Sequence, residues 1–266
     1  MKNGGSNSSF KPRGAGGLPS FISLLAYNPP EPILANRVVL ITGAADGIGR
    51  EVAAAYARHG ARAVLLDQNR QGLEALCDRI VASGGPAPCL CPIDLSGATL
   101  ENLREVASRI GQEYGRLDGL LNNAGWIGSF MPFEHYDSHL WSKVLTVNLA
   151  APFFLTQVCI PLLKRSSDPS LVFSLHDSRR AYQGAYGLAK AGLAALVEIL
   201  ADEYDQISAH PMRVIGIDTG PVQTAERRRH YPGESEGKHP PANAVVGPYL
   251  YAMGPDAGKR SGLILR

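Results

Sequence analysis

"RVVLITGAADGIGRE", residues 37–51, contains the change of rhythm on which the fold turns. After Arg37 its next five residues are apolar or β-branched without polar alternation, as in a strand buried on both faces. Three glycines follow, at Gly43, Gly47 and Gly49, and from Gly47 the pattern becomes helical toward His59. A glycine turn between a buried strand and a helix lets the backbone bend sharply. It also lets a diphosphate reach the free N–H groups of the helix N-terminus. The residues expected to hold such a ligand are Gly43, Asp46, Gly47, Ile48 and Gly49.

Outward from this turn the alternation repeats. "RAVLLD" (62–67), "CLCPID" (89–94), "LDGLLN" (117–122), "SLVFSL" (170–175), "MRVIGI" (212–217) and the terminal "GLILR" read as further strands. Helical stretches over about 71–82, 100–114, 138–163 and 185–206 stand between them. Apolar strands alternating with helices predict an α/β fold. It is a single doubly wound (Rossmann) domain with a seven-stranded parallel sheet and helices on both faces. The domain is expected over 36–266. A polar, Pro/Gly-rich segment around 225–246 is long enough to act as a lid. Residues 1–35 are expected to form a disordered tail, Gly/Ser/Asn/Pro-rich at first, with an apolar portion, "FISLLAY" (21–27), that packs on the domain.

The charge is nearly balanced, 26 basic against 24 acidic residues, which gives no electrostatic reason to expect nucleic acid or an anionic membrane as partner. A small molecule is expected instead. Four cysteines at positions 77, 89, 91 and 159 have no metal-binding spacing and read as reduced thiols of a cytoplasmic protein; no metal is expected.

Asp67 ends the second strand about 20 residues past the glycine turn. A carboxylate there accepts hydrogen bonds from ribose hydroxyls and repels a 2′-phosphate, so NAD(H) is expected over NADP(H). Asp94, with Leu95 after it, ends the third strand and is placed to meet the adenine. Asn123, Ala124 and Gly125 follow the fourth strand, the glycine leaving room for a cofactor. Tyr186 and Lys190 stand one helical turn apart among small residues. An ammonium at that spacing is expected to stabilise a phenolate, so that Tyr186 exchanges a proton with a substrate oxygen. Asn148 precedes Pro152 by four residues. Proline has no N–H, and the Asn148 carbonyl therefore loses its usual helical partner.

Together "TGAADGIG", "NNAG", Asn148, and Tyr186 with Lys190 resemble the short-chain dehydrogenase/reductases in order and spacing. Stretches such as "GRLDGLLNNAG" look most like their YciK-like subgroup. The resemblance covers roughly residues 33–266. It implies alcohol/carbonyl oxidoreduction by hydride transfer to or from a nicotinamide cofactor, a ribose-anchoring role for Lys190, and a water-linked proton relay through Asn148. It also implies contacts from Gly220, Val222 and Thr224 to the nicotinamide carboxamide, and dimers or tetramers formed through the two long helices.

Two departures stand out. The family usually has a serine thirteen residues before its tyrosine, and here that residue is Phe173. Ser174, Ser178 and His176 are the available replacement donors. In "DTGPVQT" (218–224), Thr219 stands where the family favours proline. The irregular serine segment keeps a second reading open, a nucleotide-binding sensor or scaffold with weakened turnover.

Overall fold

The computed structural model describes residues 19–30 and 32–266. Seven strands run β1 (Val38–Thr42), β2 (Arg62–Asp67), β3 (Cys89–Pro92), β4 (Gly119–Asn122), β5 (Ser170–Leu175), β6 (Arg213–Asp218) and β7 (Leu263–Leu265). All are parallel, in the order β3-β2-β1-β4-β5-β6-β7. The nine α-helices assigned among the described residues are α1 (Phe21–Leu25), α2 (Gly47–Arg58), α3 (Arg70–Ala82), α4 (Leu100–Tyr114), α5 (Ser138–Leu145), α6 (Ala151–Leu163), α7 (Gly184–Glu203), α8 (Ala225–His230) and α9 (Val246–Met253).

Side chains alternate across the sheet, and each strand therefore feeds two cores. Val39 and Ile41 of β1 pack with α2, α3 and α9; Val38 and Leu40 pack with α4, α6 and α7. The seven-stranded, doubly wound architecture read from the sequence is the one observed. The segments Ser138–Leu163 and Gly184–Glu203 are long and apolar enough to cross a membrane, but about half of each is buried in this fold, 44% and 50%. Their apolar character is accounted for by packing on the sheet.

Local chemistry sets the helix boundaries. Thr99 and Asn102 form a reciprocal cap at the start of α4, and Gly115 closes that helix at φ 75°. Asn69 caps α3 and Asp137 caps α5 through their side chains. The Asp46 side chain, by contrast, makes no capping bond at α2. The long helix expected over 138–163 is interrupted by a wide π-type turn at Thr146–Ala150, where the Ala151 N–H reaches back to the Thr146 carbonyl.

Of the tail expected over 1–35, residues 1–18 lie outside the described residues. Beyond Pro19 the chain is built into the domain: α1 packs on α9, Leu24 is buried, and Tyr27 donates to Asp256 at 2.7 Å. The segment expected as an open lid contains α8, held by an Arg227–Glu234 ion pair at 2.7 Å.

The order of the strands reverses between β1 and β4. Loops leaving their C-terminal ends part there and open a crevice.

Candidate active site

The crevice is a groove of two connected cavities, about 300 Å³ and about 230 Å³, sharing Gly43, Asp67, Ala124, Gly125 and Glu226. Gly43 and Gly47 line it at φ +66° and +54°, a backbone state that disfavours side chains. Gly49 faces inward instead. A Cβ there would collide with the Gly43 carbonyl oxygen, so this glycine serves helix–strand packing. Because Asp46 leaves the α2 N-terminus uncapped, its first N–H groups face the groove without a side-chain partner from that residue. The glycine cradle and open helix end fit a dinucleotide diphosphate.

The 122–126 loop is pinned from two sides. The Thr42 hydroxyl accepts the N–H groups of Asn123 and Ala124, both at 3.0 Å. The Asn148 amide donates to the carbonyls of Trp126 (2.7 Å) and Val144 (2.8 Å), and its oxygen accepts the Trp126 N–H. Asn148 is fully buried at the π turn. The Asn123 side chain bonds the carbonyls of Thr42 and Gly43, tying the loop to the glycine turn.

Tyr186 and Lys190 line the wider cavity from α7, together with Gly220, Val222 and Thr224 from the loop after β6. Asp94 and Leu95 line the other end with Asp67. Lys190 is buried, and its Nζ donates to the Ser174 carbonyl at 2.9 Å and lies 5.7 Å from the centre of the Tyr186 ring. Burial lowers the Lys190 ammonium to about 8, against a weaker opposing effect of Asp218. Burial, with the carboxylates of Glu226 and Asp218, raises the Tyr186 phenol. Desolvation thus works against the expected phenolate–ammonium pair, raising the phenol and lowering the ammonium. The raised value favours the neutral phenol.

The candidate serines fare differently from each other. Ser174 lines the cavity, but its hydroxyl is engaged by Asn123 Oδ1 and Tyr249 Oη, each at 3.0 Å. Ser178 is not brought to the groove; its hydroxyl is buried without a hydrogen-bond partner among the described residues. His176 does line the groove. Sequence reasoning passed over Asp218 and Glu226, both close enough to influence Tyr186. Asp218 carried a usable signal, ending a buried strand as Asp67 does. Glu226, inside a polar loop, carried none.

The doubly wound fold and the glycine-lined groove at its switch point are those of a dinucleotide-binding protein. The chain belongs to the short-chain dehydrogenase family: the family pattern described as short chain dehydrogenase matches residues 37–234. Within that family it falls in the YciK-like group. The uncharacterized oxidoreductase YciK of Escherichia coli (strain K12) is 38% identical over 240 residues, covering 89% of this chain and 94% of that one. A short chain dehydrogenase from Escherichia coli CFT073 complexed with NADPH superposes with a TM-score of 0.84 at 38% identity, covering 89% of this chain and 98% of that one. Another, from Shigella flexneri 2a str. 301 and complexed with NADP, gives 0.83 at 37%, covering 88% and 98%. This chain is accordingly an oxidoreductase.

These two complexes overturn the expectation of NAD(H). The charge argument took Asp67 as a free carboxylate facing the ribose. Its oxygens instead accept the N–H groups of Ala45 (3.1 Å) and Asn69 (2.9 Å), so the carboxylate serves to hold the glycine turn and the start of α3.

Proposed function

We propose that this enzyme interconverts a carbonyl compound and an alcohol with NADP(H), acting in reduction with Tyr186 as the proton donor to the substrate oxygen. The observation that carries the reading is the placement of Tyr186 and Lys190 on the wall of the groove that the glycine turn opens. The bound nicotinamide supplies the hydride. Gly43, Asp46, Gly47, Ile48, Asn123, Ala124 and Gly125 hold the dinucleotide, with Asp67, Asp94 and Leu95 toward its adenosine. Lys190 anchors the nicotinamide ribose, and Gly220, Val222 and Thr224 receive the carboxamide. The NADPH and NADP bound by the two relatives support the choice of cofactor.

Asn148 fixes the loop beside Gly125, and its carbonyl, denied a donor by Pro152, accepts from a relay water leading toward Lys190. The protein works in the cytoplasm as a homodimer or homotetramer. Exposed apolar residues on α6 and α7 (Phe153, Phe154, Leu188 and Ile199) support that assembly.

The test is turnover of a panel of ketones, aldehydes and quinones with NADPH and NADH in parallel. NADPH-dependent reduction of at least one carbonyl is expected. Tight NADPH binding without turnover across the panel would leave the proposal without support.

A further inference from the structure

A carbonyl oxygen approaching Tyr186 has two lone pairs, and the phenol meets one of them. Several side chains that line the groove with Tyr186 can donate to the second, among them Gln183, Thr219, Tyr231 and His176, and His176 is the one with a carboxylate, Asp218, facing its ring. The Ser174 hydroxyl is bound to Asn123 and Tyr249, and Ser178 stands off the groove. His176, the residue after β5, lines the same cavity as Tyr186 and Lys190. Its Nδ1 stands 3.7 Å from Asp218 Oδ1, and Nε2 has no hydrogen-bond partner among the described residues. Asp218 is itself fixed: Oδ1 accepts the Gly220 N–H at 2.9 Å and Oδ2 the Asp177 N–H at 3.0 Å. Burial opposes its ionisation, yet His176 and these N–H groups hold the carboxyl below its ordinary value, so it remains an anion.

An anion facing Nδ1 selects the ring form with a proton on that nitrogen. In the neutral ring Nε2 is then only an acceptor; in the protonated ring both nitrogens donate. Resting on the proposed function, we propose that His176 is a second catalytic residue that touches the reacting oxygen beside Tyr186. Its protonated ring donates Nε2–H to a carbonyl, and its neutral ring accepts the hydroxyl of an alcohol. His176 forms no bond to the substrate. The proton added to the oxygen during reduction still comes from Tyr186. Carbonyl reduction is therefore faster with the ring charged than with it neutral, whereas alcohol oxidation has the opposite preference.

Charged and titratable groups face the ring from several elements. Asp218 does so from β6, and Lys190 and Tyr186 from α7, with Glu226 across the groove. On the far side a second cavity brings Glu198, Arg179 and Arg266 alongside it. Asp177, next in the chain, pairs with Arg179 at 3.0 Å. Lys190, lowered by burial to about 8, titrates within the pH range tested, and it is retained in each His176 variant below.

The experiment measures NADPH-dependent reduction of p-nitrobenzaldehyde from pH 5.5 to 8.5, with NADPH affinity followed by fluorescence. His176→Ala is expected to lose about a hundredfold in kcat/KM at the acid end, with NADPH affinity within about twofold of wild type. His176→Ser, whose hydroxyl donates without titrating, is expected to recover most of that loss and to weaken the dependence on pH. Wild-type rates in His176→Ala, or an unchanged pH profile in His176→Ser, would overturn the inference. Loss of turnover in Tyr186→Phe alongside a fully active His176→Ala would do so while leaving the proposed function standing. A wild-type protein that binds NADPH and reduces no carbonyl would overturn both.

Discussion

The two edges of the sheet treat charge in opposite ways. At the N-terminal edge, Asp168 binds Arg37 at 2.7 Å and Arg213 through two bonds of 3.0 Å. Arg213 also donates to Ser170 and to the carbonyls of Ala252 and Gly258. Nearby, Asp118 accepts the Val38 N–H, the Ser166 hydroxyl and the Arg116 guanidinium. At the C-terminal edge, Lys190 is just as buried but has one carbonyl for a partner, and Tyr186, His176 and Glu226 turn toward the groove. One edge closes the sheet by mutual pairing. The other keeps polar groups incompletely matched, so that a ligand completes them.

The contrast breaks most sharply at Tyr186. Replacing it with Phe removes one hydroxyl from the groove and is expected to lower kcat at least about a thousandfold, with NADPH affinity and melting temperature nearly unchanged. Paired rate and calorimetric measurements check this. Next is the opposite edge: Asp168→Ala leaves Arg213 buried without its carboxylate. We expect a loss of about 3 kcal/mol in denaturant unfolding, with kcat retained. Burial works against the Asp168 charge, but Arg213 and Arg37 hold its carboxyl below the ordinary value. Its contribution is therefore present at neutral pH and lost as pH falls through the acid range.

Thr42→Val tests whether the groove edge also relies on mutual pairing. It strips two part-buried N–H groups of their acceptor, for an expected loss of about 1 kcal/mol and a several-fold rise in the NADPH dissociation constant. The last effect has the opposite sign. Lys190→Met should abolish turnover yet raise stability at pH 7 by about 1 kcal/mol, because a buried ammonium is removed. With the folded-state value near 8 and the ordinary one at 10.5, the unfolded chain binds more protons between them. Wild-type stability therefore rises with pH across that window, and the gap to the variant closes; melting curves from pH 7 to 10 read it directly.

Legibility in the sequence follows the same division. The strands were readable because parallel strands buried on both faces are continuously apolar, and the glycine turn because few residues tolerate its backbone. The helix order followed from amphipathic spacing. The lysine–tyrosine pair was legible as a spacing, but its burial was not, because desolvation depends on what packs around the pair. Asp67 shows the same limit: its identity was plain, whereas its commitment to the Ala45 and Asn69 N–H groups required the folded turn. α9 went unread because "VGPYLYAM" begins with residues that favour loops and extended chain. Tyr249 in that helix nonetheless reaches Ser174 beneath the groove.

The wide turn at Thr146–Ala150 has a consequence for how this chain can vary. Its hydrogen bond spans one residue more than regular winding uses, which offsets α6 from α5 by about 100° of helical phase. With that offset, Asn148 meets the Trp126 backbone while Leu155 and Cys159 still face the sheet. Deleting a single residue there would restore regular winding and rotate one partner out of place. The length of this segment is thus locked as firmly as any side chain, whereas loops a few ångströms away can lengthen or shorten without disturbing the register of the core.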